Sequence, residues 1–200
     1  TSNFTCQSCG AVHRKWSGKC DGCGEWNSIV EESGEINVPK GVTKAGGKAV
    51  AFTSLDGAPD ERSRRMTGMA ELDRVCGGGM VPGSALLVGG DPGIGKSTLL
   101  LQAAAMLAKS GASVAYISGE EAVDQIRLRA ARLGLADAPV DLASATNVRD
   151  ILAALDTAGG ADVAIIDSIQ TMYADNLDSA PGTVAQVRTC AQELIRVAKR

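Results

Sequence analysis

Two hundred residues with 20 Lys and Arg against 23 Asp and Glu carry a formal net charge of −3, which excludes a protein that grips nucleic acid by bulk positive charge. Apolar residues make up 44% of the chain but aromatics only 3%, so a core must be assembled from Ala, Val, Leu and Ile. The length suits one domain with a small appendage. No apolar run approaches the roughly 20 residues of a membrane span, and no secretory leader is visible.

The chain starts at Thr1 without Met, which suggests a processed or trimmed end. Six cysteines, four of them in paired units, point to a reducing, cytoplasmic setting and a metal site. Cys6-Gln7-Ser8-Cys9-Gly10 and Cys20-Asp21-Gly22-Cys23-Gly24 are near repeats, each C-x-x-C-G. Each tight bend sets two thiolates on one side, and the glycine lets backbone amides turn toward sulfur. Two such turns make a four-thiolate tetrahedron suited to structural Zn²⁺. Iron fits the same ligands, and a redox C-x-x-C is the main rival reading. The short spacing implies a compact ribbon with one hairpin, whose folding free energy comes largely from the metal. Trp16 and Trp26 are expected to form the mini-core, the alternative being that one stacks on a base or partner. His13 is either a further ligand candidate or a surface residue; the surface position is expected.

Residues 1–30 thus read as a Cys₄ zinc finger, 31–66 as a linker, and 67–200 as a nucleotide-binding domain. The linker is rich in Gly, Ser, Pro and Lys, with one strand-like piece at 49–52. Arg62, Arg64 and Arg65 cluster there. A solvated charge run is the first reading and a nucleic-acid contact the second. Met69 to Val75 predicts a short helix stopped by Gly77-Gly78-Gly79, and Cys76 is expected to be a small buried apolar residue.

The central stretch is Gly90-Asp91-Pro92-Gly93-Ile94-Gly95-Lys96-Ser97-Thr98, which fits G-x-x-x-x-G-K-S. The apolar run 85–88 predicts a strand before it, and Thr98 onward predicts a helix after it. In that context the glycines let successive N–H groups converge on phosphate, and the helix N-terminus adds its dipole. Lys96 reaches the β- and γ-phosphates, and Ser97 offers its hydroxyl to Mg²⁺. Helices follow at 97–109, ended by Gly111, at 122–133, ended by Gly134, from an Asn147 cap to about 158, and at 184–198. Strands lie at 113–118, 140–143 and 163–166. This alternation predicts a parallel α/β sheet.

Asp167 ends an apolar strand, the place for the carboxylate that holds the Mg²⁺ water shell. Ser168 follows it rather than Glu, so the attacking water needs another base. Glu120, at the end of the neighbouring strand, is the candidate; the alternative for Glu120 and Glu121 is as first-turn acids of the next helix. Gln170 either senses the γ-phosphate or caps a loop, and 173–182 reads as a mobile loop.

These residues together resemble the bacterial RadA (Sms) family. The resemblance rests on the paired C-x-x-C units with Lys15-Trp16, on Thr67-Gly68, Glu71-Leu72-Asp73-Arg74 and Gly77-Gly78-Gly79, and on Gly90 to Thr98. Tyr116-Ile117-Ser118-Gly119-Glu120-Glu121 and Ile165-Ile166-Asp167-Ser168-Ile169-Gln170-Thr171 complete it. It implies a RecA-like ATPase core, Zn²⁺ on Cys6, Cys9, Cys20 and Cys23, and ATP with Mg²⁺ at the loop and Asp167. It places the family's glutamate on Glu120. It further implies DNA-dependent ATP hydrolysis by a homohexameric ring on single-stranded or branched DNA, branch migration in recombinational repair, and recombinase and repair-protein partners. The family continues with a strand that inserts between the Asp167 strand and the loop strand, and with a Lon-like domain. On that basis these residues are expected to be part of a longer protein, with a gap in the sheet. The rival function is a non-motor regulatory ATPase whose finger docks a protein.

Overall fold

The computed structural model describes residues 3–32, 64–157 and 160–199, with isolated positions at 52, 54 and 56. Arg62 and most of the strand expected at 49–52 lie outside the described residues; Phe52 is exposed.

The N-terminal segment forms a three-stranded antiparallel sheet, β1 (Asn3–Cys6), β2 (Val12–His13) and β3 (Ile29–Glu32), in the order β2-β1-β3. The single hairpin expected here is therefore joined by a third strand, and β1 pairs Phe4 with both His13 and Glu31. Its core is small: Cys6, Cys20 and Ile29 are buried, with Phe4 and Ala11 packed against them. The tryptophans are not in it. Trp16 is 58% and Trp26 68% exposed. Two cysteines and an isoleucine fill so small an interior, and the indoles lie outside it across Gly18. Lys19 Nζ sits 5.6 Å from the centre of the Trp26 ring.

In the second segment the arginines expected to be solvated are fixed in the fold. Arg64 donates to the carbonyls of Cys76 and Gly79, and Arg65 pairs with Asp162 at 2.9 Å. The Arg65 backbone also bridges Met80. Helix α1 (Ala70–Val75) carries a buried carboxylate, Asp73. That carboxylate accepts from Thr67 N–H and Oγ1 at 2.8 Å each and from Gly68 N–H at 3.1 Å. Cys76 is half-buried rather than enclosed.

The main sheet is parallel, in the order β5 (Val140–Ser144), β4 (Val114–Ser118), β6 (Val163–Asp167). Side chains alternate along the central strand, so each face takes its own helices. On one face, Val114 and Tyr116 meet Leu101, Ala104, Leu107 and Ala108 of α2 (Lys96–Lys109) and Ile126 of α3 (Val123–Arg132). On the other, Ile117 meets Val148 and Ile151 of α4 (Val148–Thr157) and Cys190 of α5 (Val184–Ala198). Both predicted glycine stops are observed. Gly111 and Gly134 take positive φ, and the next amides, of Ala112 and Leu135, bond back to Leu107 and Ala130. Asn147 Oδ1 accepts from Arg149 N–H, capping α4 as expected.

Two expectations change. Residues 85–88 join no ladder among the described residues, and Leu86 and Leu87 are 55% and 88% exposed. The outer edge of β6 is likewise unpaired there, which is the gap the connectivity implied. The loop 173–182 is anchored rather than loose. The buried Gln186 amide accepts from Ala174 N–H at 2.8 Å and donates to the carbonyls of Ala174, Leu177 and Ser179 at 3.3, 3.2 and 2.8 Å. A charge-free side chain with both donors and acceptor used fixes irregular backbone that would otherwise need water.

Gln186→Ala should therefore cost about 2 kcal/mol of stability and speed hydrogen exchange at 174–179. Denaturant unfolding with exchange mass spectrometry checks both. Burial acts to raise the pKa of Asp73, but the bonds from Thr67 and Gly68 outweigh it and hold the carboxyl below its ordinary value. A depressed folded pKa gives stability that is present above the unfolded value, about 3.9, and lost as pH falls through the folded one. The thermal midpoint should thus fall on acidification below about pH 4 in the wild type and less steeply in Asp73→Asn.

Candidate nucleotide site and metal centre

The four cysteine sulfurs lie within 4.8 Å of one another. Cys6 and Cys23 are 3.7 Å apart, as are Cys9 and Cys20. Two thiolates on a tetrahedral Zn²⁺ with bonds of about 2.3 Å stand about 3.8 Å apart, so the spacing of these two pairs fits the ion. The surroundings favour thiolate at Cys6 and Cys20. Cys6 Sγ lies 3.3 Å from Ser28 Oγ, and this hydrogen bond, opposed by burial, draws the thiol down to about 6. Backbone N–H groups of Cys23 and Gly22, with the His13 ring, lower Cys20. Cys9 and Cys23 receive backbone bonds at Ala11 and Glu25 that act downward. Burial and the neighbouring sulfurs outweigh these and raise both, Cys23 to about 12. Such a cluster resists holding four negative charges unless a cation shares them. His13 is not a free surface residue. Its side chain is 14% exposed, with Nε2 3.4 Å from Cys20 Sγ and Nδ1 3.9 Å from Asp21. It steadies a ligand rather than joining the set.

The phosphate loop runs from Gly90 through Asp91, Pro92, Gly93, Ile94 and Gly95 into α2 at Lys96, Ser97 and Thr98. Gly93 and Gly95 have φ of 79° and 104°, a backbone only glycine adopts without strain, and a Cβ at either would meet nothing within 4 Å. The loop is an open cradle. Among the described residues the backbone amides of Lys96, Ser97 and Thr98 have no backbone partner, as the first turn of a helix requires. Lys96 Nζ lies across the loop, donating to the carbonyls of Gly90 and Asp91 at 2.7 and 2.9 Å. An anion seated on the amides would find that ammonium already at the loop. These residues fit a nucleotide's phosphates.

The second half of the site is set by sheet register. Parallel pairing places Ser118 of β4 beside Asp167 of β6, and Gly119 N–H donates to the Asp167 carbonyl at 2.9 Å. A Cβ on Gly119 would lie 2.0 Å from Thr171 Oγ1, so this close approach admits no side chain. The chain then delivers two carboxylates, which the structure separates. Glu121 is paired with Arg129 of α3, both partly buried. Glu120 instead accepts a hydrogen bond from Ser168 Oγ at 2.8 Å, across the sheet end. Gln170 Oε1 lies 3.1 Å from the same hydroxyl, so its side chain borders Glu120 while its carbonyl lies close to Gly182 of the loop 173–182. Asp167 Oδ2 accepts from Tyr116 Oη at 2.6 Å. Tyr116 and Ser168 stand in the stretches that carry the resemblance, but sequence reasoning assigned neither of them, nor Arg129, a role at the site. Tyr116 left one signal: a tyrosine inside a strand read as buried must find a partner for its hydroxyl.

Phosphate loop, parallel sheet and two carboxylates at the strand ends define a P-loop nucleotide-binding protein, and the chain belongs to the AAA domain family, whose model matches residues 58–200. Residues 4–31 match a rubredoxin metal binding domain. Over its length the chain is similar to proteins named DNA repair protein RadA. It is 57% identical to that of Brucella abortus over 98% of this chain, 49% to that of Rickettsia felis over 99%, and 46% to that of Bacillus subtilis over 99%. The chain spans 44% of the length of these relatives.

One Zn²⁺ per chain is the expected content by elemental analysis, falling to none in Cys9→Ser. Stripping the metal with a chelator should unfold residues 3–32, because their core is too small to stand without it. Retained amide protection there after metal removal would contradict this.

Proposed function

We propose that this chain is the nucleotide-binding and metal-ribbon part of an ATP-hydrolysing DNA repair protein. The observation that carries the reading is the pairing of β4 with β6, which brings Glu120 and Asp167 to one sheet end and leaves Glu120 held by the residue after Asp167. Gly90 to Thr98 bind the phosphates of ATP, with Lys96 neutralising charge that builds on the γ-phosphate. Ser97 and Asp167 hold Mg²⁺ and its water shell; the ion supplies further charge neutralisation on the phosphate oxygens. Glu120 orients and deprotonates the attacking water, while Glu121 is kept away by Arg129.

The name shared by the relatives supports DNA as the partner. In this reading the protein works in the cytoplasm as a homohexameric ring on single-stranded or branched DNA, branch-migrating recombination intermediates alongside a recombinase and other repair proteins. No helix among the described residues is long and apolar enough to cross a membrane. The rival reading, a regulatory ATPase with a docking ribbon, draws on the outward-facing Trp16 and Trp26.

ATP turnover by the full-length protein, with and without single-stranded DNA, tests the proposal. DNA should stimulate turnover, and Lys96→Ala should abolish it. Glu120→Gln should lower kcat by about 10² or more while ATP still binds. Turnover indifferent to DNA would favour the regulatory reading. An unchanged kcat in Glu120→Gln would remove that residue from the chemistry.

A further inference from the structure

Tyr116 is the largest wholly buried side chain among the described residues. Its ring belongs to the apolar cluster that α2 and α3 form with one face of the sheet. A phenylalanine would serve that packing equally, so the hydroxyl needs a separate account. Its partner is Asp167 Oδ2, at 2.6 Å, a short charge-assisted bond. The main chain of Asp167 is held as well, by the register with Ser118 and by the Gly119 amide. With backbone and one carboxylate oxygen fixed, rotation of the carboxylate is stopped, and Oδ1 is the oxygen left for another ligand.

We infer that Tyr116 is a positioning residue: its hydroxyl orients the Asp167 carboxylate so that one chosen oxygen, Oδ1, serves the Mg²⁺ that accompanies the nucleotide. The inference rests on the reading of Asp167 as the metal-side carboxylate. Just past the same strand, Glu121 pairs with Arg129 of α3, so the turn carrying Glu120 is held as well. One strand interior thus aligns the metal-side acid by a hydroxyl, while the following turn presents the candidate base.

Binding of a fluorescent ATP analogue to the full-length protein, titrated with Mg²⁺, tests this apart from turnover. In Tyr116→Phe the Mg²⁺ concentration for half-maximal tightening should rise about tenfold, as for loss of a residue that orients a metal ligand. Affinity measured in chelator should stay at the wild-type value. Asp167→Asn should remove the Mg²⁺ effect, and adding Tyr116→Phe to it should change nothing further. A Tyr116→Phe protein with wild-type Mg²⁺ dependence, whatever its thermal midpoint, overturns the proposal and leaves the reading of Asp167 standing. Wild-type Mg²⁺ dependence in Asp167→Asn overturns that reading, and the proposal with it.

Discussion

The parallel pairing of β4 with β6 is the constraint on which the site depends. Its register sets Ser118 beside Asp167, and everything functional at that end follows within two residues of the pair. Parallel strands carry their carboxyl ends on one side, so Asp167 and the turn 119–121 emerge together. Chain order runs from β4 outward to β5 and then back across to β6, which makes this the switch point where a crevice opens. Gly119 is part of the same constraint. The turn after β4 must pass against Thr171, and a side chain there would force the two strand ends apart.

Neighbouring acidic groups at this end are assigned by what each one meets. Glu121 finds Arg129, Asp167 finds Tyr116, and Glu120 finds a serine hydroxyl. A carboxylate tied to a guanidinium is poorly available as a base. One resting on a single hydroxyl keeps its remaining lone pairs for water. Helix α3 therefore does more than cover the sheet: its Arg129 holds Glu121 and leaves Glu120 to the Ser168 hydroxyl.

The ribbon is organised by a different rule. Its interior holds little beyond two cysteines and Ile29, so the metal-binding sulfurs are themselves the core. His13 and Ser28 adjust the sulfurs, and the tryptophans are left outside, one of them under Lys19.

The sequence by itself determined the ligand types, the phosphate loop, the alternation of strands and helices, and the helix stops at Gly111 and Gly134. Those follow from local physics: thiolate spacing, glycine φ, and periodicity. It also placed Asp167 and Glu120, because a residue at the end of an apolar strand has only one end to occupy. Only tertiary structure decided which glutamate pairs with Arg129, that Gln186 anchors the loop after Tyr173, and that Arg64 and Arg65 brace distant backbone and Asp162 while still reaching solvent. It also decided that 85–88 lies without a partner strand among the described residues and that Trp16 and Trp26 face outward. Each of these turns on a partner distant in sequence, such as Arg65 with Asp162, or on how much interior a fold has to offer. Neither is written in a local pattern.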